Sequence, residues 1–166
     1  MSNNIIIGNY TLFKSLGEGA FGEVFLTIKK NSSDLYATKV LDLNKLKQKG
    51  PLMLKYLENE IQIMKQLNHP NIIKLYEDIR TNDKYYLIME YCNGGSLLDL
   101  LKKYKEKYKT PFSIKLVQYF MKQIIEGLAY IHSNNIIHRD IKLNNILVKF
   151  RNILKKIKLN QLLLMT

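Results

Sequence analysis

The segment that decides the fold reads Gly17-Glu18-Gly19-Ala20-Phe21-Gly22-Glu23-Val24. The spacing of its three glycines also occurs in dinucleotide-binding turns, in which the last glycine opens a helix. Here residues 23–29 alternate, with Val24, Leu26 and Ile28 on one side, and this period of two predicts a strand. We therefore expect a hairpin whose backbone N–H groups can lie over phosphates. A plain glycine-rich hairpin is the alternative.

Strand-like runs surround the glycine segment and predict an antiparallel meander. The predicted strands are residues 10–18, 23–29, 35–41, 72–79 and 85–91. Between the third and fourth of these, Pro51 opens a helix whose apolar residues keep helical spacing up to the breaker His69-Pro70-Asn71. The first half of the chain is therefore expected to be a sheet with one helix.

Glu60 is a charged residue placed among apolar ones on this helix. The apolar stripe consists of Met53, Leu54, Leu57, Ile61, Met64 and Leu67. At about 100° per residue, Glu60 falls in the middle of the stripe, whereas Glu58 points away from it. A buried carboxylate needs a positive partner, because burying it alone costs several kcal/mol. Lys39, in the apolar third strand, is the best candidate, and exposure of both residues is the alternative.

The second half of the chain is predicted to be mostly helical. Asn93-Gly94-Gly95 reads as a flexible connector, and Ser96 with Asp99 resembles a capping box for a helix that reaches about Lys109. Ser113 caps the next helix, whose apolar stripe is wide enough to require burial. That stripe consists of Ile114, Val117, Phe120, Met121, Ile124, Leu128 and Ile131. Together the two halves predict an α+β fold.

A dense polar cluster follows this helix, between two apolar strand-like runs, in the segment Ile136-Ile137-His138-Arg139-Asp140-Ile141-Lys142-Leu143-Asn144-Asn145-Ile146-Leu147-Val148. Asp140 could accept a proton from a hydroxyl, and Lys142 could hold a transferring phosphoryl group. Asn145 could ligate Mg²⁺ through its carbonyl oxygen. A solvated polar loop is the alternative, but it does not explain these residue types at this spacing.

Composition limits the function classes. The 166 residues include 26 basic and 14 acidic side chains, a net charge of +12. This charge would attract nucleic acid, but the lysines are scattered and no binding motif is present, so a nucleic-acid binder is the least favoured hypothesis. A single cysteine, Cys92, permits no internal disulfide and favours a reducing compartment. Without a leader or an apolar run of about 18 residues, we expect a soluble, cytosolic protein with no membrane partner.

Taken together, these motifs follow the protein-kinase signature in order, over residues 10–159. The matching residues are Gly17, Gly19, Gly22 and Val24, then Ala37-Thr38-Lys39, then Glu60, then His138-Arg139-Asp140-x-Lys142-x-x-Asn145. The chain resembles a serine/threonine kinase, since Lys142 stands two residues after Asp140. The resemblance implies a small lobe at residues 10–91, the beginning of a large lobe at 92–159, and an unmatched tail at 160–166.

The resemblance also implies where ATP would bind. The adenine would lie between Val24 and Ala37 on one side and Leu147 on the other, and the hinge Glu90-Tyr91-Cys92 would bind its edge through backbone groups. Met89 matches the gatekeeper position. The three glycines would cover the phosphates, as in the family.

The catalytic roles are likewise carried over by resemblance. Lys39 would hold the α- and β-phosphates and pair with Glu60. Asp140 would be the catalytic base, Lys142 would contact the transferred phosphoryl group, and Asn145 would be a Mg²⁺ ligand. A protein substrate would supply the hydroxyl. The alternative is a catalytically inactive fragment that binds a nucleotide or a partner.

Two departures from the family pattern modify these expectations. Leu143 and Asn144 stand where the family usually has Pro-Glu, outside the catalytic positions. Residues 157–159 resemble the strand that leads to an Asp-Phe-Gly motif, but Asn160-Gln161 and an apolar tail follow instead. From this we expect very low phosphoryl transfer, marginal solubility and an apolar face on the helix at 114–131 that a partner could cover.

Overall fold

The structure, a computed structural model, describes residues 4–19, 22–151 and 154–159 of the chain. The described residues form two compact units. The first unit holds those up to Gln66 together with Lys74–Tyr91, and the second holds Leu67–Ile73 and those from Cys92 onward. The predicted tail at 160–166 and residues 20–21 of the glycine segment lie outside the described residues.

Among the described residues, six antiparallel strands make up the sheet of the first unit. They are β1 (Ile5–Ile7), β2 (Tyr10–Gly19), β3 (Gly22–Lys29), β4 (Leu35–Asp42), β5 (Leu75–Arg80) and β6 (Lys84–Glu90). Their order across the sheet is β1-β2-β3-β4-β6-β5. The β2 and β3 strands pair down to Gly19 and Gly22, so the predicted hairpin on the glycine segment is confirmed.

Two helices accompany the sheet: α1 (Leu43–Gln48) and α2 (Met53–Gln66). The α2 helix buries Leu57, Ile61 and Met64, as its periodicity predicts. Each such side chain contributes about 1.5–3 kcal/mol by leaving water. The α1 helix was not predicted. It begins because the Asp42 side chain accepts hydrogen bonds from the backbone N–H groups of Asn44 and Lys45, at 2.9 and 3.1 Å.

The predicted strand at 72–79 is wrong at its start, because β5 begins only at Leu75. The preceding residues pair with a different strand. Ile73 N–H donates to the carbonyl oxygen of Leu159 at 3.0 Å, and Leu159 N–H donates to that of Asn71 at 2.7 Å. These bonds place residues 71–73 in the second unit, whereas the rest of the apolar run forms β5 in the first unit.

The second unit contains two helices, α3 (Leu97–Tyr108) and α4 (Ile114–Ser133), and a short antiparallel pair, β7 (Ile146–Arg151) and β8 (Leu154–Leu159). The predicted caps are confirmed. The Ser96 hydroxyl accepts from the backbone N–H of Asp99 at 3.1 Å, and Ser96 N–H donates to the Asp99 carboxylate at 3.1 Å. The α+β class is therefore confirmed, and in the described part of the chain no helix is both long and apolar enough to span a bilayer.

The connector Asn93-Gly94-Gly95 is tied to β7, which corrects the prediction of a flexible link. Gly94 N–H donates to the Val148 carbonyl oxygen at 2.8 Å, and Val148 N–H donates to that of Gly95 at 2.8 Å. A Cβ atom on Gly94 would lie 2.7 Å from the Val148 oxygen. Glycine is therefore required here for close approach to β7, not for freedom of movement.

The apolar stripe of α4 is only partly buried. Phe120, Ile124 and Ile131 are buried, whereas Ile114 is 77% exposed. The buried face instead includes Gln123 and Gly127. Other large apolar or aromatic residues exposed on this helix are Val117, Tyr119, Met121 and Ile125. The run Ile136-Ile137 also differs from its strand-like pattern, since it forms no strand.

Candidate functional site

One face of the sheet in the first unit gathers four of the predicted site residues. In the register of the strands, Val24 pairs with Lys39 and Ala37 pairs with Met89. Directly paired residues point to the same face of a sheet, as do residues two apart along a strand. Val24, Ala37, Lys39 and Met89 therefore share one face. The opposite face carries Tyr10, Leu12, Val40, Tyr86 and Ile88, which pack together as a buried cluster.

The three glycines meet different surroundings. A Cβ atom on Gly22 would lie 1.7 Å from the Val40 carbonyl oxygen, so only glycine allows β3 to start this close to β4. A Cβ atom on Gly17 would have no heavy atom within 4 Å, and one on Gly19 would lie 3.8 Å from the nearest. The backbone at Gly17 and Gly19 is therefore open, as a phosphate-covering hairpin requires.

The charges of Glu60 and Lys39, both in the first unit, interact with each other. Glu60 is only 5% exposed, as the helical wheel predicts. Burial lowers the pKa of the Lys39 ammonium, and the negative charge of Glu60 opposes this by raising it. The carboxylate therefore acts on the lysine in the sense that the sequence predicts. The first unit therefore holds a buried carboxylate and a half-buried lysine, and the lysine lies on the sheet face that carries Val24, Ala37 and Met89.

Three polar residues of the predicted catalytic segment meet in the second unit. The Lys142 ammonium lies 2.8 Å from Oδ2 of Asp140. Asn145 Nδ2 donates to the same carboxylate oxygen at 2.7 Å and to the Asp140 backbone carbonyl at 3.0 Å. The side chain of Asp140 is 29% exposed, so the carboxylate is held by its neighbours while part of it stays open to solvent. We name Asp140, Lys142 and Asn145 the polar triad.

The local backbone explains why these residues meet. A short 3-10 turn, Leu143–Asn145, follows Lys142, and Asn145 N–H donates to the Lys142 carbonyl oxygen at 2.9 Å. Immediately afterwards β7 buries Ile146 and Val148, which anchors the turn. Before the triad, His138 is buried. Arg139 adopts a left-handed conformation (φ 69°) that is rare for a residue with a side chain.

The remaining predicted site residues lie at the end of β6 and in the second unit. Glu90 is the last residue of β6 and is buried, and Cys92 is buried in the second unit. Leu147 is half-buried in β7, where it forms a bridge with Ser96. None of these three residues belongs to the polar triad.

A Mg²⁺ ion would find one suitable protein oxygen at the triad. Both hydrogen bonds of the Asn145 side chain to Asp140 are donated by Nδ2, so its carbonyl oxygen takes no part in them. In the part of the chain that the structure describes, no group of three or more His, Cys, Asp or Glu side chains could hold a metal ion. The Asn145 carbonyl oxygen could serve a Mg²⁺ ion that takes phosphate oxygens and water as its other ligands.

Sequence reasoning missed the contacts that hold α2 against the sheet. Lys65 Nζ lies 2.7 Å from the Asp78 carboxylate, and Arg80 Nη1 lies 2.7 Å from that of Glu58. The Tyr85 hydroxyl also donates to Asp78, at 2.9 Å. No short-range pattern could have found these pairs, because their members are far apart in sequence. The helical wheel predicts only that Glu58 lies away from the apolar stripe, and it does not identify Arg80 as its partner.

Comparison with known proteins adds a second line of support. The family model described as protein kinase domain matches residues 10–160. The chain is 43% identical over 148 residues to calcium-dependent protein kinase 5 of Plasmodium berghei (strain Anka), a match that covers 89% of this chain and 25% of that protein. It is 39% identical over 143 residues to a Dictyostelium discoideum protein named as a probable myosin light chain kinase, covering 86% of this chain and 42% of that protein.

A serine/threonine-protein kinase of Drosophila erecta is 38% identical over 144 residues, covering 87% of this chain and 18% of the relative. The chain thus spans less than half the length of each of these relatives. The family model, in contrast, covers nearly the whole chain, including the glycine hairpin, Lys39, Glu60 and the polar triad. The chain therefore belongs to the protein kinase domain family.

Proposed function

We propose that the protein is an ATP-dependent protein kinase that phosphorylates serine and threonine hydroxyls. The observation that carries this proposal is the polar triad, in which one carboxylate oxygen of Asp140 lies 2.8 Å from the Lys142 ammonium and 2.7 Å from Asn145 Nδ2. The triad thus brings together a carboxylate, a cation and a side-chain amide that touches the carboxylate through its nitrogen and keeps its carbonyl oxygen out of these bonds. These are groups that phosphoryl transfer to a hydroxyl needs. In this proposal residues 10–91 act as the ATP-binding lobe, and residues 92–159 begin the lobe with the triad.

Each triad residue has one role in the proposed reaction. Asp140 orients the substrate hydroxyl and accepts its proton, while the hydroxyl oxygen forms a bond to the γ-phosphorus and the bond from that phosphorus to ADP breaks. Lys142 neutralises part of the charge on the transferred group, because an ammonium in contact with phosphoryl oxygens lowers the electrostatic barrier. Asn145 offers its carbonyl oxygen to Mg²⁺. Bound Mg²⁺-ATP supplies the phosphoryl group and the charge neutralisation that favours its departure.

In the first unit, the half-buried Lys39 and the buried Glu60 support nucleotide binding. Lys39 would hold the α- and β-phosphates, and the charge of Glu60 raises the Lys39 pKa against the effect of burial. Val24, Ala37 and Met89 on the same sheet face provide apolar contact for a base, with Gly17, Gly19 and Gly22 over the phosphates. We assign Glu90, Cys92 and Leu147 to the same nucleotide site by resemblance.

The serine/threonine specificity has two supports. Lys142 stands two residues after Asp140, the pattern of that branch of the family. The reported Drosophila relative also carries serine/threonine-protein kinase in its name. Cytosolic localisation and a partner on the exposed face of α4 stay predictions.

The experiment that tests the proposal is phosphate transfer from γ-labelled ATP to a serine- and threonine-containing peptide in the presence of Mg²⁺. We expect label on hydroxyl amino acids at the low rate that the departures from the family pattern predict. We expect a further decrease for Asp140→Asn, up to about 10²–10⁴-fold, because this change removes the proton acceptor but keeps the shape. Asp34→Asn, at an exposed loop carboxylate, is the matched control and should transfer at the parent rate. ATP binding with no transfer by the parent chain would instead assign the binding-only alternative.

A further inference from the structure

The last two turns of α3 carry a concentration of positive charge that the proposed reaction does not use. Residues 102–109 contain five lysines and one glutamate. All of the lysines are exposed. This segment lies in the second unit, and none of its residues belongs to the polar triad or to the proposed nucleotide site.

Four of these residues form one continuous surface, which we name the basic face: Lys102, Lys105, Glu106 and Lys109. Their spacing of three, four and seven residues places them on one side of the helix. They line a shallow depression of about 350 Å³. At 1.5 Å of rise per residue, the face is about 10 Å long, which is the reach of three or four residues of an extended peptide.

Aromatic contacts hold the helix so that the basic face has a fixed position. The ring of Tyr104 lies 4.7 Å from that of Phe112, which in turn lies 5.6 Å from Phe120 on α4. At the other end of the helix, the capping box of Ser96 and Asp99 fixes the first turn. Because the helix is held at both ends, a ligand would not have to order the backbone that carries the lysines.

The charge of the basic face is compensated only in part within the described residues, where Lys102 is near enough to Asp99 to help lower the pKa of that carboxyl group. Lys102, Lys105 and Lys109 make no ion pair with a carboxylate of this part of the chain, and Glu106 is the one acid on the face. Interaction with the helix dipole accounts for part of the pattern, since cations in the last turn stabilise a helix. Lys102 lies too far from the C-terminal end for this explanation, because the effect is confined to the last turn.

We propose that the basic face binds an acidic segment of a protein partner, whose carboxylates contact Lys102, Lys105 and Lys109 and whose uncharged or basic residue faces Glu106. A carboxylate in the middle of the face disfavours nucleic acid, because phosphates follow one another without a gap along a strand. The face carries no apolar side chain to enter a bilayer surface, which disfavours a membrane. This inference is independent of phosphoryl transfer and stands or fails separately from it.

The test is fluorescence anisotropy with labelled synthetic peptides and the whole chain. The probe is a short peptide of alternating glutamate and serine with one central lysine, and its matched peptide has glutamine in place of glutamate. We expect binding of the acidic peptide alone, and weakening as salt rises from about 50 to about 300 mM, because exposed charges are screened. With glutamate also at the centre of the peptide, binding should weaken, and Glu106→Gln should restore it.

The decisive comparison uses two triple variants of equal charge. The first variant combines Lys102→Gln, Lys105→Gln and Lys109→Gln. Its affinity for the acidic peptide should be about tenfold lower, because each exposed ion pair contributes a small factor. Glutamine keeps the helix propensity of lysine. The second variant combines Lys30→Gln, Lys47→Gln and Lys55→Gln, at exposed lysines of the first unit. Its affinity for the acidic peptide should stay within about twofold of the parent value. Circular dichroism checks that both variants keep their helices.

Three outcomes would overturn the proposal. One is equal weakening by the two triple variants, which would assign the effect to net charge. Another is no binding of the acidic peptide at low salt. The third is that the basic-face variant no longer binds an oligonucleotide or a phosphatidylserine vesicle that the parent chain binds, while its affinity for the acidic peptide is unchanged. Loss of kinase activity in Asp140→Asn with peptide binding intact would separate this site from the proposed reaction.

Discussion

Gly22 is the residue at which β3 comes closest to β4. An added methyl group would lie 1.7 Å from the Val40 carbonyl oxygen and 2.8 Å from its carbon, both of which are backbone atoms. Since backbone cannot move aside as a side chain can, we predict that Gly22→Ala destabilises the chain by about 1–3 kcal/mol. Urea denaturation measures this loss. Gly19→Ala is the control, because its methyl group would lie 3.8 Å from the nearest atom, an ordinary van der Waals distance. An equal loss in both variants would contradict the prediction.

Lys39 offers a second prediction at the scale of a single residue. Burial lowers its pKa, and Glu60 raises it in opposition. Replacing Glu60 by glutamine removes the opposing charge and keeps the side-chain shape, so the pKa of Lys39 should fall further below its ordinary value. NMR titration of the lysine side chain follows this change. Glu58→Gln, at an exposed carboxylate of the same helix, should leave the Lys39 pKa in place. An unchanged Lys39 pKa in Glu60→Gln would show that the two groups do not interact.

At the scale of elements, α2 is held by side chains of β5 and β6. Asp78 accepts from Lys65 and from the Tyr85 hydroxyl, and burial with this hydrogen bond raises the pKa of Tyr85 to about 12. An unfolded tyrosine ionises near pH 10, so above that pH the native state binds more protons than the unfolded state. Stability should therefore decrease as pH rises from about 10 to about 12.

The matched variant for this decrease is Tyr85→Phe, which removes both the hydrogen bond and the ionisation. At neutral pH it should cost about 1–3 kcal/mol, because the bond is made to a charged acceptor. Above pH 10 its stability should decline less steeply than that of the parent. Chemical denaturation at several pH values tests this, with Tyr56→Phe at an exposed position of α2 as the control. Parallel pH curves for parent and Tyr85→Phe would refute the role of the tyrosine.

Most elements could be predicted because their signals are local. Periodicity gave α2 and the capping residues gave α3 and α4, since each depends on neighbours within one or two turns. The errors concern residues whose partners are distant in the chain. The predicted strand began at residue 72, but Asn71 and Ile73 bond with Leu159. Gly94 was predicted to belong to a flexible connector, but it lies against Val148. No local pattern contains these contacts, so sequence reasoning could not have found them.

The same reasoning applies to the candidate site. The polar triad lies within six consecutive residues, so its motif predicts the contacts of Asp140, Lys142 and Asn145 well. Lys39 and Glu60 are further apart, but the helical wheel predicts a buried carboxylate that needs a cation. The ion pairs that hold α2 could not be predicted, because exposed charged residues at long separation leave no pattern.

At the scale of the whole molecule, the exposed apolar side of α4 bears on solubility. Ile114 is 77% exposed and Ile125 is 58% exposed, on the helix whose other side is buried. Exposed apolar patches favour association. We predict that Ile114→Lys with Ile125→Lys reduces concentration-dependent self-association in analytical ultracentrifugation without loss of stability. Ile124→Lys, at a buried position of the same helix, should instead unfold the chain. Unchanged self-association of the double variant would show that this face of α4 does not cause it.

Our main proposal is that this member of the protein kinase family binds Mg²⁺-ATP through Lys39, the half-buried lysine of β4. Isothermal titration calorimetry of ATP with Mg²⁺ tests it most directly, on the parent chain, Lys39→Ala and the exposed control Lys30→Ala. The account predicts equal Kd values for the parent and the control, and a Kd for Lys39→Ala that is larger by about tenfold or more, because a charge-assisted contact is lost. Identical Kd values for all three proteins, or no heat of binding with the parent chain, would contradict it.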